Sequence, residues 1–177
     1  LSTFAIEGLG ALLLSTRLVP EYGLIKGGWF SIFHAISAFC NAGFDIIGNS
    51  VMIFVGDIII NMTIGFLIII GGLGFSVYID ISRYKSFKRL HLHSKIVISV
   101  TIILILTGTI LFYIIERHNP ATLLNLTKGE KVLSSFFQSV ITRTAGFNSV
   151  DISALRDTTA FIMIILMFIG GSPISTA

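Results

Sequence analysis

A short segment that contains glycine occurs twice in this chain, and its composition suits cation binding by the backbone. The segments FHAISAFCNAGFD, at 33–45, and FFQSVITRTAGFN, at 136–148, align without a gap, with Ala-Gly-Phe at 42–44 and 145–147. Glycine adopts backbone dihedral angles that a side chain forbids, and consecutive carbonyl oxygens can replace the hydration shell of an ion. We therefore predict a pore loop at each segment. An ordinary turn between apolar helices is the alternative, and the second copy favours the pore loop.

Other kinds of chemistry find little support in the sequence. The single cysteine, Cys40, excludes an internal disulfide and offers no metal-site spacing. The serines and histidines show no reproducible spacing of a protease-like site, and no histidine pair lies on a helix beside an acid. We expect no enzymatic activity, no cofactor and no resident metal apart from a transported ion. The four histidines are His34, His91, His93 and His118.

The composition is typical of a membrane protein. The chain is 54% hydrophobic and 12% charged, with a mean hydropathy of +0.93, whereas soluble domains carry about a quarter charged residues. The net charge of +3 fits basic loops at a membrane better than a nucleic-acid partner. Because the chain begins at a leucine and stops within an apolar run, we expect an internal fragment of a larger membrane protein.

The apolar runs predict an all-α integral membrane protein. A helix needs about 20 apolar residues to cross the hydrocarbon core, and residues 96–115 provide such a run without any charge. Residues 51–79 form a longer run with one Asp57 inside, and the glycines of GGLGF, at 71–75, allow close helix packing. Residues 4–14 and 161–170 resemble parts of two more spans.

Two apolar stretches, 29–40 and 132–141, are too short to cross a membrane and predict re-entrant pore helices. Each precedes an irregular segment, and such backbone survives at membrane depth only if it is buried in protein or lines a wet cavity. The predicted unit is therefore membrane helix, re-entrant pore helix, filter loop and membrane helix, as in potassium channels. One unit covers 1–79, another covers 96–177, and 80–95 link them.

The linker predicts the orientation of the chain. Five of the twelve Lys and Arg residues lie in this part of the chain, which indicates a cytoplasmic loop and places the entry of both pore loops on the outside. Binding of anionic lipid or of an acidic partner is an alternative role for the same charges. The five residues are Arg83, Lys85, Lys88, Arg89 and Lys95.

The segments SAFCNAGFD and TRTAGFNSVD, with FIGGSPISTA after the second, resemble the Trk/Ktr/HKT superfamily of potassium transporters. The likeness is to the ion-translocating subunit of bacterial Ktr and Trk systems, which has four membrane–pore–membrane repeats, and it covers about the second and third. It implies potassium uptake across the bacterial cytoplasmic membrane, by a multi-pass protein, through a selectivity filter with an intramembrane gate. A secondary carrier for another cation or solute, with discontinuous helices, is the alternative; such repeats are often inverted, whereas these two run the same way.

The resemblance also implies which residues act and which partners they meet. Gly43 and Gly146 would be the filter glycines, the transported ion would be K+ with Na+ possible, and the partners would be a second copy of the subunit, a cytosolic nucleotide-binding regulatory subunit and membrane lipids. The family usually has glycine after the Pro of the gate, where this chain has Ile174. The filter would comprise Asn41, Ala42, Gly43, Phe44 and Asp45 with Thr144, Ala145, Gly146, Phe147 and Asn148, and the gate would begin at Gly170, Gly171, Ser172 and Pro173.

Several side chains near the loops have predicted supporting roles. Arg143 is a costly charge near membrane depth, and we expect it to point behind the filter and support it. Asp45 and Asp151 either attract cations or act as solvated or capping residues. We expect Asp57 and Asn61 to bond to a neighbouring helix, His34 to be packed, and the rings of Phe44 and Phe147 to pack behind their loops.

Overall fold

The computed structural model describes residues 2–48, 51–84, 89–143 and 145–170, without the side chains of 2, 75 and 76. Within these ranges the regular structure is helical and contains no β-strand, so the predicted all-α class is confirmed. Short 3-10 helices cover Met52–Phe54 and Ile152–Ala154. The α-helices are α1 (Ser2–Tyr22), α2 (Leu24–Phe39), α3 (Ile58–Leu73), α4 (Phe75–Arg83), α5 (Leu92–Glu116), α6 (Lys128–Ile141) and α7 (Asp157–Ile169).

The same order of elements occurs twice along the chain. A long helix, a shorter helix, an irregular loop, a 3-10 turn and a further helix follow one another from α1 to α3 and again from α5 to α7. Within the first set, α1, α2 and α3 each pack on the other two, and within the second, α5 packs on both α6 and α7. Contacts of α3 with α6 and of α4 with α5 join the two sets. Helix α3 therefore packs on both α2 and α6, the helices that precede the two loops.

The long apolar run predicted at 51–79 is not one continuous helix. Helix α3 begins only at Ile58 and ends before Gly74, whose φ of 86° is open to glycine but costly for other residues. The chain then turns into α4, and the two helices are inclined by 93°. In the part of the chain that the structure describes, α5 alone is long and apolar enough to cross a membrane, and α3 with α4 would be a second span if counted together.

The first turn of α3 and of α6 is fixed by capping side chains. Asp57 accepts hydrogen bonds from the N–H groups of Ile59 and Ile60, at 2.9 and 3.1 Å. Thr127 and Glu130 form a reciprocal capping box at the start of α6. Such caps pair backbone donors that have no partner within the helix. They explain why each helix begins where a polar residue interrupts an apolar sequence.

The prediction that Asp57 and Asn61 bond to a neighbouring helix is correct for Asp57 and wrong for Asn61. Asp57 Oδ2 pairs with Arg17 Nε of α1 at 3.1 Å. Asn61 Nδ2 instead donates to the carbonyl oxygens of Phe54 and Asp57, at 2.7 and 2.8 Å. The amide of Asn61 therefore joins the 3-10 turn to the start of its own helix.

A continuous apolar core lies where α1, α2, α3 and α6 meet. It contains fully buried side chains from each of these helices and from the second loop, among them Leu14, Ala35, Ile64, Phe137 and Phe147. Large apolar side chains on the opposite faces of the helices are exposed, as expected for a protein whose outer surface contacts lipid. The core thus includes one of the two repeated segments as a structural component.

A buried carboxylate joins the end of α5 to the start of α7. Glu116 is fully buried, and its Oε1 accepts hydrogen bonds from Arg156 N at 3.0 Å and Thr159 Oγ1 at 2.5 Å. Its Oε2 accepts from Asn119 Nδ2 at 2.6 Å and Thr122 Oγ1 at 2.7 Å. Four donors therefore converge on one side chain, which fixes the connection between α5 and α6 as well as the first turn of α7.

Replacing Glu116 by glutamine should destabilise the full-length protein by about 2 kcal/mol, because an amide nitrogen would then face hydrogen-bond donors in a buried site. Thermal melting of the purified protein in detergent measures the effect. Glu21→Gln, at an exposed position of α1, is the matched control and should leave the melting temperature unchanged. Equal melting temperatures for the two variants would show that the four bonds to Glu116 contribute little.

Candidate functional site

The two Ala-Gly-Phe loops meet at their glycines. Gly43 and Gly146 have φ angles of 68° and 74°, in the left-handed region. A Cβ atom placed on Gly43 would lie 2.6 Å from the Cα of Gly146 and closer still to the carbonyl oxygen of Ala145. A Cβ on Gly146 would lie 3.0 Å from the Cα of Gly43. Segments that are 103 residues apart in sequence are therefore in backbone contact at equivalent positions.

The first loop is held against the end of α2 by backbone and side-chain bonds. The N–H of Ala42 donates to the carbonyl oxygen of Ser37 at 2.9 Å, and Ser37 Oγ donates to the carbonyl oxygen of Phe44 at 3.0 Å. Asn41 leaves the helix with a φ of 51°, which asparagine tolerates better than most residues. The carbonyl oxygen of Phe44 therefore points back toward α2, and the residues before Phe44 form the turn.

The residue after the first loop is a hydrogen-bond acceptor. Asp45 Oδ1 accepts from His34 Nε2 and from the N–H of Ile47, both at 2.9 Å, and Oδ2 accepts from the N–H of Gly48 at 2.8 Å. His34 is 1% exposed, and its Nδ1 lies 2.7 Å from the carbonyl oxygen of Phe30. The prediction that His34 is packed is confirmed. Asp45 holds the turn that follows the loop, while its role toward an ion stays a prediction.

The second loop is buried more deeply than the first. The N–H of Ala145 donates to the carbonyl oxygen of Ile141 at 3.1 Å, and Ser134 Oγ of α6 lies 3.0 Å from Ser149 Oγ. Phe147 is fully buried, as predicted for a ring behind the loop. The same prediction is wrong for Phe44, which is 67% exposed, because its segment lies at the edge of the core rather than within it.

The guanidinium group of Arg143 lies against α3 beside the first loop. Arg143 is buried, and a Cβ placed on Gly72 would lie 3.9 Å from its Nη2 and 3.4 Å from Asn41 Nδ2. The side chain that precedes the second loop therefore shares one face of α3 with a side chain of the first loop. This position agrees with a supporting role behind the loops, which stays a prediction. The equivalent position in the first loop, Cys40, is exposed.

Helix α3 approaches the end of α2 without room for a side chain. A Cβ placed on Gly71 would overlap the carbonyl oxygen of Phe39, the last residue of α2. The predicted close packing at this glycine pair is confirmed for Gly71. Because the first loop starts two residues after Phe39, the position of α3 determines where the loop begins.

Asp151 caps the 3-10 turn after the second loop. Its Oδ1 accepts hydrogen bonds from Ser153 Oγ at 2.7 Å and from Ser153 N at 2.9 Å. These bonds hold the pKa of Asp151 below its ordinary value, and the bond from the Ser153 hydroxyl contributes more than the bond from its N–H. The capping alternative is confirmed, and the carboxylate stays ionised well below neutral pH.

The predicted gate and linker are described only in part. Helix α7 ends at Ile169, and the next residue, Gly170, has a φ of 62° that is not helical, at the position where the gate was predicted to begin. Gly171, Ser172 and Pro173 lie outside the described residues, as does Thr144 of the second loop. In the linker, Asp80 accepts hydrogen bonds from Ser94 Oγ at 2.5 Å and from His91 N at 3.2 Å, which ties α4 to the start of α5.

The sequence interpretation missed the side chains that hold the loops to their helices. Ser37 and the Ser134–Ser149 pair were not singled out, and His34 was expected only to be packed. A signal was present, because Ser31, His34 and Ser37 recur every three residues along an otherwise apolar α2. Side chains with this spacing lie close to one face of a helix, and all three are buried. In this stripe His34 and Ser37 contact the first loop, whereas Ser31 bonds to its own helix.

The chain is similar to known transport proteins over nearly its whole length. The profile of the TrkH family, described as a cation transport protein, matches residues 2–177. The chain is 48% identical to the Ktr system potassium uptake protein B of Vibrio alginolyticus, over 98% of this chain and 39% of that protein. It is 44% identical to the protein of the same name in Bacillus subtilis, over 100% and 40% respectively.

The name of a third relative includes two cations. The potassium/sodium uptake protein NtpJ of Enterococcus hirae is 46% identical over 97% of this chain and 38% of that protein. The chain thus spans about two fifths of the length of these relatives. The family is one of membrane transporters rather than of enzymes. With a match that extends over residues 2–177, the chain belongs to the TrkH family of cation transport proteins, as its resemblance to Trk and Ktr transporters predicted.

Proposed function

We propose that this chain supplies two adjoining segments of a potassium-selective filter in a bacterial uptake protein. The observation that carries the proposal is the backbone contact between Gly43 and Gly146, both at positive φ. Filters of this kind need loops that approach one another through glycine, since a side chain would fill the space that the ion and the carbonyl oxygens require. In this proposal α2 and α6 are re-entrant pore helices within two membrane–pore–membrane units.

The proposed ion ligands are backbone carbonyl oxygens of the two loops. In the first loop, Asn41, Ala42 and Gly43 are the favoured ligands, because the carbonyl of Phe44 accepts a hydrogen bond from Ser37. In the second loop, Ala145 and Gly146 take the equivalent positions, and Thr144 precedes them. Carbonyl ligands stabilise a cation without covalent chemistry, so transport follows the electrochemical gradient. Potassium is the proposed substrate, and sodium is a second one in view of the name of the Enterococcus hirae relative.

The gate, orientation and partners follow from the family and stay proposals. The break of α7 at Gly170 would begin an intramembrane gate beneath the filter. The basic linker at 80–95 would be cytoplasmic, close to a cytosolic nucleotide-binding regulatory subunit. The names of two relatives place those proteins in a Ktr system, which agrees with a regulatory partner. A homodimer within the lipid bilayer is proposed on the same grounds.

Flux through the purified full-length protein tests the proposed function. The protein is reconstituted in liposomes, and the uptake of radioactive rubidium is measured with an excess of potassium, sodium or a neutral solute outside. We expect rubidium uptake above that of protein-free liposomes, with potassium the stronger competitor. Absence of cation flux, or stronger competition by a neutral solute than by potassium, would favour the carrier alternative and overturn the proposal.

A further inference from the structure

His34 lies between the two loops and contacts both of them. Its Nε2 is 2.9 Å from Asp45 Oδ1, directly after the first Ala-Gly-Phe segment. Its ring centroid is 6.1 Å from that of Phe147 in the second segment, with an angle of 36° between the ring planes. Both His34 and Phe147 are buried, so these contacts are made away from solvent. The side chain therefore joins segments that are distant in sequence.

The hydrogen bonds of His34 fix the orientation of its ring. Nδ1 faces the carbonyl oxygen of Phe30 at 2.7 Å, one turn earlier on α2, and a carbonyl oxygen can only accept. Nε2 faces the carboxylate of Asp45, which also accepts from the N–H groups of Ile47 and Gly48. The ring thus meets an acceptor at each nitrogen and spans from the pore helix to the loop. Rotation of the ring would break both bonds at once.

The arrangement is not repeated at the second loop. In the gapless alignment of the two segments, Phe137 takes the place of His34, and Asn148 takes the place of Asp45. Phe137 is fully buried in the apolar core. The second loop is instead tied to its helix by Ser134 and Ser149. Because phenylalanine has no ring nitrogen, the hydrogen bonds of His34 cannot be formed at the aligned position in the second unit.

We propose that His34 is a positioning residue that sets the distance between the two Ala-Gly-Phe loops. The bond to Asp45 holds the end of the first loop, and the ring contact with Phe147 holds the second loop in register with it. The inference rests on the proposed filter function. If the loops form the filter, the spacing of their carbonyl oxygens determines which cation fits, so changes at His34 alter discrimination between potassium and sodium.

Three variants of the full-length protein in liposomes test the inference, with the ratio of potassium to sodium flux as the readout. His34→Leu removes both hydrogen bonds and should lower the flux ratio about ten-fold. This factor corresponds to the loss of one buried hydrogen bond to a charged group. His34→Gln retains a donor toward Asp45 but not the ring, and should lower it about three-fold. Adding Phe147→Leu to His34→Gln should change the flux ratio little further. His34→Gln has already removed the ring contact with Phe147, and the effects of substitutions at contacting residues are not additive.

Ser31→Ala is the matched control, since Ser31 is equally buried on α2 and, among the described residues, donates to the carbonyl oxygen of Gly27 on the same helix. It should leave the flux ratio unchanged. The inference is overturned if the ratio of His34→Leu stays within about two-fold of the unmodified protein. It is also overturned if adding Phe147→Leu to His34→Gln lowers the flux ratio by a further three-fold or more, about as much as His34→Gln itself. If His34→Leu does not reach the membrane, His34→Gln is used instead. The inference is then overturned if the flux ratio of His34→Gln stays within about two-fold of the unmodified protein.

Failure of this inference can be told apart from failure of the proposed function. Gly43→Ser alters the loop contact without touching His34. If that variant changes the flux ratio while the His34 variants do not, the filter proposal stands and the positioning role is wrong. If the unmodified protein shows no cation flux, the proposed function has failed, and the positioning role fails with it.

Discussion

Replacing Gly43 by serine in the full-length protein is expected to lower rubidium uptake at least about a hundred-fold, equivalent to about 2.7 kcal/mol. The φ of 68° alone is unfavourable for a residue with a side chain. The larger effect comes from the second loop, because the new Cβ would lie 2.6 Å from the Cα of Gly146 and would overlap the carbonyl oxygen of Ala145. Both are main-chain atoms, so the clash cannot be relieved by rotating a side chain.

The same change at Gly146 should have a smaller effect, on the order of ten-fold. Its φ of 74° is similar, but a Cβ there would lie 3.0 Å from the Cα of Gly43, with the next contacts at 3.6 Å or more. A shift of a few tenths of an ångström would relieve that contact. The order of the two variants is therefore a test of the loop contact itself. Uptake is measured in a bacterial strain without its own potassium transport, with protein amounts in the membrane compared.

Two glycines elsewhere in the chain separate backbone strain from loop contact. Gly23, between α1 and α2, has a φ of 84° but open space around a Cβ, and Gly8 on α1 has open space and no positive φ. Gly23→Ser should reduce the amount of folded protein modestly, and Gly8→Ser should have no effect. If Gly23→Ser lowers uptake per molecule as strongly as Gly43→Ser, the glycines serve only the turn geometry. If Gly43→Ser transports normally, the filter proposal loses its main support.

The repeated order of helices could be predicted because it depends on local sequence, whereas the pore-helix role of α2 and α6 stays a proposal. Two short apolar stretches followed by matching loops indicated the order of elements that α1–α3 and α5–α7 follow. The break at Gly74 could not be predicted, because GGLGF is equally compatible with a continuous apolar helix and with a turn at its last glycine. Across the linker, α4 is joined to α5 by the hydrogen bond from Ser94 to Asp80. Such a bond joins side chains whose proximity no hydropathy pattern shows.

The two loops differ because their surroundings differ. The sequence predicted equivalent roles for Phe44 and Phe147, since each follows a glycine at an aligned position. In the structure the second loop lies within the core formed by α1, α2, α3 and α6, and the first loop lies at the edge of that core. Phe147 is therefore buried and Phe44 is exposed. Sequence symmetry therefore predicts the backbone of the loops better than the environment of their side chains, which depends on the neighbouring unit.

The second large expected effect is a loss of stability on substitution of Gly71, where α3 contacts the end of α2. Gly71→Ala should destabilise the full-length protein by about 3 kcal/mol, at the upper end of what overpacking usually costs. A Cβ at this position would overlap the carbonyl oxygen of Phe39, and neither the helix backbone nor that carbonyl can move independently. The two helices would have to separate at the residue where α2 gives way to the first loop. Thermal melting in detergent measures the loss, and rubidium uptake should fall with it.

Gly72→Ala is the matched control for this prediction, one position further along the same helix. A Cβ on Gly72 would lie 3.4 Å from Asn41 Nδ2 and 3.9 Å from Arg143 Nη2, which are ordinary contacts with side-chain atoms. Alanine also has a higher helix propensity than glycine by roughly 1 kcal/mol, so the melting temperature should stay the same or rise. If Gly71→Ala and Gly72→Ala melt alike, α3 does not press on the end of α2. The start of the first loop would then be set by Ser37 and His34 on α2 alone.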